Sequence, residues 1–373
     1  MVFWFYMTYI ISYFFISFVC LIKSQLNLRF FKAICTVIIF IALLTIASGR
    51  ANNIGTDISY YVELVFNNSK QYYNFEDFLY SHQLEFGYDY LSFLCSRISN
   101  DIHVVFLINH FFILFFVFCA IKLFSRDYKI SSSFCLLLYI LSFYNYSLNI
   151  VRQSIAVSIL FFFMFFLFKK KYVIFLIGTL FSILFHDSGI VGLFIFTLFV
   201  IYNFIKTLKY KKYLIMLFLL GTFIVILFSP MYITFLVSIG MLPQRFEEHF
   251  YSYQTQTNSI LFIFSQFPIL FLAIYSIAKN KIDERLSFIY YFPVFSFSFS
   301  ICGLYFGFAG RVLYYFQIFN IILYPLIQSQ FYNQKNKVVL NTIYFLWIIF
   351  LWFYCYFICN WGETIPYEWG WNI

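Results

Sequence analysis

The sequence predicts an all-α fold: a polytopic helical membrane protein of about twelve transmembrane helices with a cleft opening on the external side. Three observations predict it. The 373 residues are 63% hydrophobic and only 10% charged, with a mean hydropathy of +0.85. Apolar runs long enough to cross a bilayer recur from end to end. A bilayer core holds no water, so each run must pair its own backbone groups and form a helix. Finally, basic residues collect in alternate gaps between the runs, as the positive-inside rule requires of a chain that crosses repeatedly.

The runs lie at 3–22, 30–48, 102–124, 131–148, 150–168, 172–185, 189–205, 213–229, 259–278, 286–303, 309–331 and 338–358. They form one integral membrane domain over residues 1–373, with external loops at about 49–101 and 241–258. The first run follows no basic segment and leads straight to Lys23, so it reads as a retained span rather than a cleaved signal. The gaps after runs one, three, five, seven, nine and eleven hold 18 of the 24 basic residues. Lys23, Arg29, Lys32 and Lys122 are among them, with the cluster Lys169, Lys170 and Lys171. The opposite face holds Arg50, Lys70, Arg97, Arg152, Arg245 and Arg311. An even number of spans places both termini outside. The net charge of +9 is then mostly a consequence of topology, and no nucleic-acid partner is expected. The excess of Phe and Tyr suits lipid-facing and interfacial positions and is not itself a functional signal. The eight cysteines mostly sit in or beside apolar runs, where a thiol packs as a small hydrophobe; no disulfide framework, metal site or cofactor is assigned.

Five of the six basic residues on the external face are arginine, although lysines are twice as numerous in the chain. Arginine's planar fork grips a phosphate at two points, whereas lysine is a flexible point charge. Arg152 stands where two apolar runs meet, at or inside the membrane boundary. Such residues face a bundle interior or a wet cavity and mark functional paths. The alternative is that its guanidinium reaches out to a lipid headgroup. Asn149, Arg152 and Gln153 fall at helical spacing and form one wall of an expected anion site. His186 is the second candidate. From Lys171 a helix rises only about 22 Å to reach it, less than the roughly 30 Å hydrocarbon slab. The imidazole is therefore expected on the floor of a cleft, with Asp187 beside it to orient the ring.

The long external segment 49–101 mixes carboxylates, among them Asp57 and Glu85, with amides and aromatic rings, a mixture that suits sugar binding. Periodic apolar positions in 72–79 and 88–98 predict short interfacial helices. The apolar stretch 230–242 is too short to span again and is expected along the interface or re-entrant. The second external loop carries Arg245 and is expected to touch substrate. Gly303, Gly307 and Gly310 allow close helix packing and a tight turn delivering Arg311 to the top of the eleventh run, one turn above Tyr314 and Tyr315. Together these residues fit an amphipathic substrate, a lipid-diphosphate-linked oligosaccharide. The reaction is then glycosyl transfer, with arginines stabilising charge on the departing diphosphate and a general base taking a proton from the sugar hydroxyl.

Gly55-Thr56-Asp57 with Tyr60-Tyr61, Glu85-Phe86-Gly87-Tyr88, Arg152-Gln153-Ser154, His186-Asp187-Ser188, Gly310-Arg311 with Tyr314-Tyr315, and the Ile365-Pro366-Tyr367 tail together resemble the EpsG family. That family is grouped with O-antigen and capsule repeat-unit polymerases of the Wzy type. The resemblance implies a polymerase that joins undecaprenyl-diphosphate-linked oligosaccharide repeat units on the outer face of the bacterial cytoplasmic membrane. A chain-length regulator is a further implied partner. By that resemblance Arg152, His186 and Arg311 are active-site residues, with Asp57 and Glu85 as weaker ones. The working assignment has His186 as general base or its orienting partner, Glu85 or Asp57 as rival base, and Arg152, Arg311, Gln153 and Arg245 on the diphosphate. Three other classes remain open: a GT-C-type glycosyltransferase using a polyprenyl-phosphate sugar, a transporter of lipid-linked sugar, and a membrane acyltransferase. In GT-C enzymes the acidic loop follows the first span, and here it follows the second. Transporters commonly carry internal repeats, and none stands out here.

Overall fold

The computed structural model describes residues 2–81, 84–241, 256–304, 307–331 and 334–370. All twelve apolar runs are helical among the described residues. Nine helices there are long and apolar enough to cross a membrane. The other three runs are the shorter helix Tyr172–Ile183, the helix Gln256–Ala278 with its apolar part at Ile263–Ala278, and the interrupted stretch Ser132–Asn149, which passes through a π-helical segment at Ile140–Tyr144. The protein is a polytopic helical membrane protein.

The helices fall into two compact units, Met1–Ile190 with Val338–Ile373, and Val191–Lys337. The first unit opens with α1 (Val2–Gln25) and α2 (Arg29–Ser48). The long segment that follows folds as a π-helical turn, Ile58–Glu63, running into α3 (Leu64–Ser69), followed by α4 (Phe75–Ser81) and α5 (Phe86–Ile98). Next come α6 (His103–Tyr128), α7 (Ser132–Tyr139), α8 (Asn145–Asn149), α9 (Val151–Phe168) and α10 (Tyr172–Ile183). A 3-10 turn at Asp187–Ile190 closes this part of the unit.

Helix α9 packs against α6 on one side and α10 on the other. Some 78% of its residues are buried, against about a third in α1 and α2, so α9 is the centre of the unit and the outer helices meet lipid. The long segment between α2 and α6 is not a loose loop. Val62, Val65 and Phe66, Phe78, and Tyr88 and Phe93 bury their side chains in one apolar cluster with Phe106 of α6 and Val151 and Ile155 of α9. The two short helices expected in that segment are α4 and α5. Each large side chain so buried contributes roughly 1.5–3 kcal/mol, enough to hold the segment down as an ordered cap.

The C-terminal stretch belongs to the same unit. Its amides and carbonyls bridge to the end of α2: Ala51 donates to the Glu368 carbonyl at 2.8 Å and Gly370 to Gly49 at 2.8 Å. The Tyr367 hydroxyl reaches the Ile46 carbonyl at 2.8 Å.

The second unit holds α11 (Val191–Lys206), α12 (Lys211–Ser238), α13 (Gln256–Ala278), the 3-10 segment Glu284–Tyr291 leading into α14 (Phe292–Cys302), α15 (Gly307–Gln317) and α16 (Asn320–Ser329). The apolar stretch after residue 229 continues α12 up to Ser238 instead of lying apart from it. Helix α17 (Gln334–Trp352) leads back to the first unit.

Candidate functional site

Three pieces of the first unit meet around one carboxylate. Arg152 stands in the first turn of α9, and its Nη1 donates to Oε2 of Glu85 at 2.5 Å. Glu85 immediately precedes α5. Its backbone is extended (φ −76°, ψ 130°), and its side chain turns away from capping that helix. The second oxygen, Oε1, accepts the backbone N–H of Asp187 at 3.3 Å. The start of α9, the start of α5 and the turn after α10 are thereby joined through Glu85. The Arg152 and Glu85 side chains are 12% and 9% exposed, so the pair is nearly withdrawn from water but still reachable.

Two glycines let these pieces approach. A Cβ on Gly87 would lie 2.7 Å from the Leu184 carbonyl oxygen, and the Gly87 amide donates to that same oxygen at 2.7 Å. On Gly189 a Cβ would lie 2.6 Å from the Ser182 hydroxyl oxygen and 2.7 Å from the Ile183 nitrogen, which allows the turn to fold back on the end of α10. Ser182 in turn donates to the Ala156 carbonyl at 3.0 Å and fixes α10 to α9. Helix α10 is twelve residues long, about 18 Å at 1.5 Å per residue. His186, just past the end of that helix, is buried.

The His186 ring is held by its own turn. Its Nδ1 lies 3.1 Å from the Ser188 amide nitrogen and 2.7 Å from the Ser188 hydroxyl oxygen. A backbone N–H can only donate, so Nδ1 accepts and the neutral ring carries its proton on Nε2. In this arrangement His186 offers a hydrogen-bond donor at Nε2.

The Arg152 guanidinium lies over the Tyr61 ring, 4.5 Å from its centroid, with the Tyr88 ring at 5.8 Å. Burial pushes the Tyr88 hydroxyl well above the usual tyrosine range, against the opposing pull of Arg152, so it stays a neutral phenol. Glu85 supplies the only hydrogen-bond partner of the Arg152 guanidinium among the described residues, which leaves most of its fork open to an anion. Neither aromatic contact was visible as such in the sequence; Tyr61 and Tyr88 stood there only as neighbours of Asp57 and Glu85.

The other predicted residues are placed as follows. Asn149, Arg152 and Gln153 do not share one helix, because Ile150 leaves the helical region (φ −88°, ψ 71°) and Asn149 ends α8. The Asn149 amide oxygen instead accepts from Thr56 Oγ1 at 3.1 Å and from the Asp57 backbone N–H at 2.9 Å, anchoring the Gly55-Thr56-Asp57 turn. Gln153 is fully buried and accepts the Tyr146 hydroxyl at 3.1 Å. Asp57 is half-buried at the start of the π-helical turn that carries Tyr61. Arg50 is wholly buried; its Nη1 donates to the Leu148 carbonyl, and its guanidinium lies 4.7 Å from the Phe106 ring centroid. Arg311 lies half-buried on α15 of the second unit, one turn before the buried Tyr314 and Tyr315. Arg245 and nearly all of the loop around it fall outside the described residues. Among the described residues no group of three His, Cys, Asp or Glu side chains is placed to hold a metal ion.

The sequence model of the EpsG family matches residues 33–369, nearly the whole chain. No curated protein and no solved structure matches.

Proposed function

The chain belongs to the EpsG family, whose members are Wzy-like polymerases and glycosyltransferases, and we propose that it is a repeat-unit polymerase. It joins polyprenyl-diphosphate-linked oligosaccharides on the outer face of the cytoplasmic membrane. A hydroxyl on the incoming unit attacks the anomeric carbon of the growing chain. The bond from that carbon to the diphosphate oxygen breaks, and the polyprenyl diphosphate leaves with the bonding electrons. The hydroxyl proton passes to a base.

The observation that carries this reading is the junction of Arg152, Glu85 and the His186-Asp187-Ser188 turn. Arg152 binds the diphosphate through the N–H groups not used by Glu85, and the amides of the first turn of α9 add positive potential at the same end. With Nδ1 already accepting, His186 donates from Nε2 to an oxygen of the leaving diphosphate, where negative charge grows. The role of base then falls to Glu85, a carboxylate already facing the site, with Asp57 as its rival. Arg311 carries a diphosphate-binding assignment of its own from the family resemblance, and Arg245 is a lesser candidate from its place in the second long loop.

The test is genetic and direct. A strain lacking this chain should display surface polysaccharide of one repeat unit where the parent shows a ladder. Complementation with the intact chain should restore the ladder, and complementation with Arg152→Ala should not. A deletion strain that keeps its ladder, or loses a single sugar from each unit, rules the polymerase assignment out.

A further inference from the structure

The opposite end of α2 and α6 holds a second feature that the reaction does not use. Lys23 at the end of α1, Arg29 and Lys32 in the first turn of α2, and Lys122 near the end of α6 line one cavity of about 490 Å³. That volume lies within the range of small-molecule sites. No carboxylate lines it. The nearest chain neighbour that could neutralise it, Asp127, is occupied by Arg126 and Lys169, both at 2.8 Å. None of the four cations has an ion-pair partner among the described residues. Lys23 is only 6% exposed as a residue and lines the cavity with the other three cations. Four like charges around one hollow repel one another, and an anion among them relieves that repulsion.

The rest of the wall is apolar. Val37 and Phe40 of α2 and Phe115 and Phe118 of α6 continue the cavity along the helices toward the bilayer interior, and Val37 and Phe115 are open to lipid. A charged mouth with an oily channel below it matches a headgroup phosphate with an acyl chain attached. By the positive-inside rule this is the cytoplasmic end, where anionic lipids are available and where basic pockets between helices bind their headgroups.

We propose that this hollow binds an anionic phospholipid of the surrounding bilayer, with its phosphate among Lys23, Arg29, Lys32 and Lys122 and one acyl chain along Val37 and Phe115. The site is separate from the junction at Glu85 and does not depend on the reaction assigned there.

The full-length purified protein, titrated with phosphatidic acid or phosphatidylcholine of identical chains and read by native mass spectrometry, tests it. Phosphatidic acid should bind at least about tenfold more tightly. Removing one cation, as in Lys32→Gln, should weaken it about fivefold, and Lys32→Arg should restore it. Because these charges also orient the helices, Ala33→Trp is the companion variant. It fills the cavity with every charge in place and should abolish the preference. Equal binding of the two lipids overturns the proposal, as does a preference that survives Ala33→Trp. Inorganic phosphate that displaces phosphatidic acid at equal concentration assigns the site to a free anion and overturns the lipid.

Discussion

Replacing Glu85 by glutamine changes one oxygen to an NH₂ and removes one charge. The carboxylate now takes two donors, Arg152 Nη1 at 2.5 Å and the Asp187 amide at 3.3 Å. The amide of glutamine can accept one of them, but its NH₂ must then face the other, donor against donor. Arg152, with its side chain 12% exposed, also loses its counter-charge. Breaking a buried pair by removing one partner costs about 3–5 kcal/mol. The Tyr61 ring, 4.5 Å from the guanidinium, is in place in parent and variant alike and so offsets none of that loss. Glu85→Gln should therefore lower the melting temperature of the purified protein measurably, and so should Arg152→Gln. The double variant holds no unpaired charge and should recover about 1–3 kcal/mol relative to the sum of the singles. Polymer length read on a gel should not recover, because the anion-binding fork and the carboxylate are both gone. Two results refute the reasoning: strictly additive losses of stability, which deny the pair, or a ladder restored in the double variant, which makes the pair purely structural.

Other consequences can be checked by the same assays. Gly87→Ala puts a methyl 2.7 Å from the Leu184 carbonyl oxygen, so α5 must back away from the turn; a loss of about 1–3 kcal/mol in thermal stability and shortened polymer should appear together. His186→Gln can still donate from its amide and should keep part of the rate, whereas His186→Ala should lose about 100-fold or more, measured as polymer formed per unit time. Asp101, which accepts the His103 amide at 3.0 Å, is held below the usual carboxylate range by that backbone bond first and by the His103 side chain second. Its folded value is depressed, so its contribution is present above the unfolded value near ~3.9 and fades as pH falls through the folded one. Melting curves below about pH 4 should thus show a smaller acid-induced loss in Asp101→Asn than in the parent.

Much of the fold was legible because a bilayer leaves an apolar run little choice. Each of the twelve runs is helical among the described residues. What could not be read was where a helix stops for reasons outside its own pattern. The apolar sequence runs through Ile150 without a break signal, since neither proline nor glycine marks it. There the chain departs from the helix, and Asn149 turns to hold the Gly55-Thr56-Asp57 turn. Arg152 and Glu85 were each legible as candidates, yet their pairing joins positions 67 residues apart and leaves no periodic trace. Arg50 shows the opposite limit. Counted by charge it belongs with the external arginines, and only the packing of Phe106 and the Leu148 carbonyl around it reveals a wholly buried cation.

In the proposed reaction Arg152 grips the diphosphate that leaves during polymerisation. Purified protein in liposomes, supplied with lipid-linked repeat units, measures this most directly, by the chain lengths formed by the parent and by Arg152→Lys. The lysine keeps the charge beside Glu85 but not the fork. The parent should build a ladder while Arg152→Lys, though folded, stalls at one or two units. Ladders of equal length from both proteins would contradict the account.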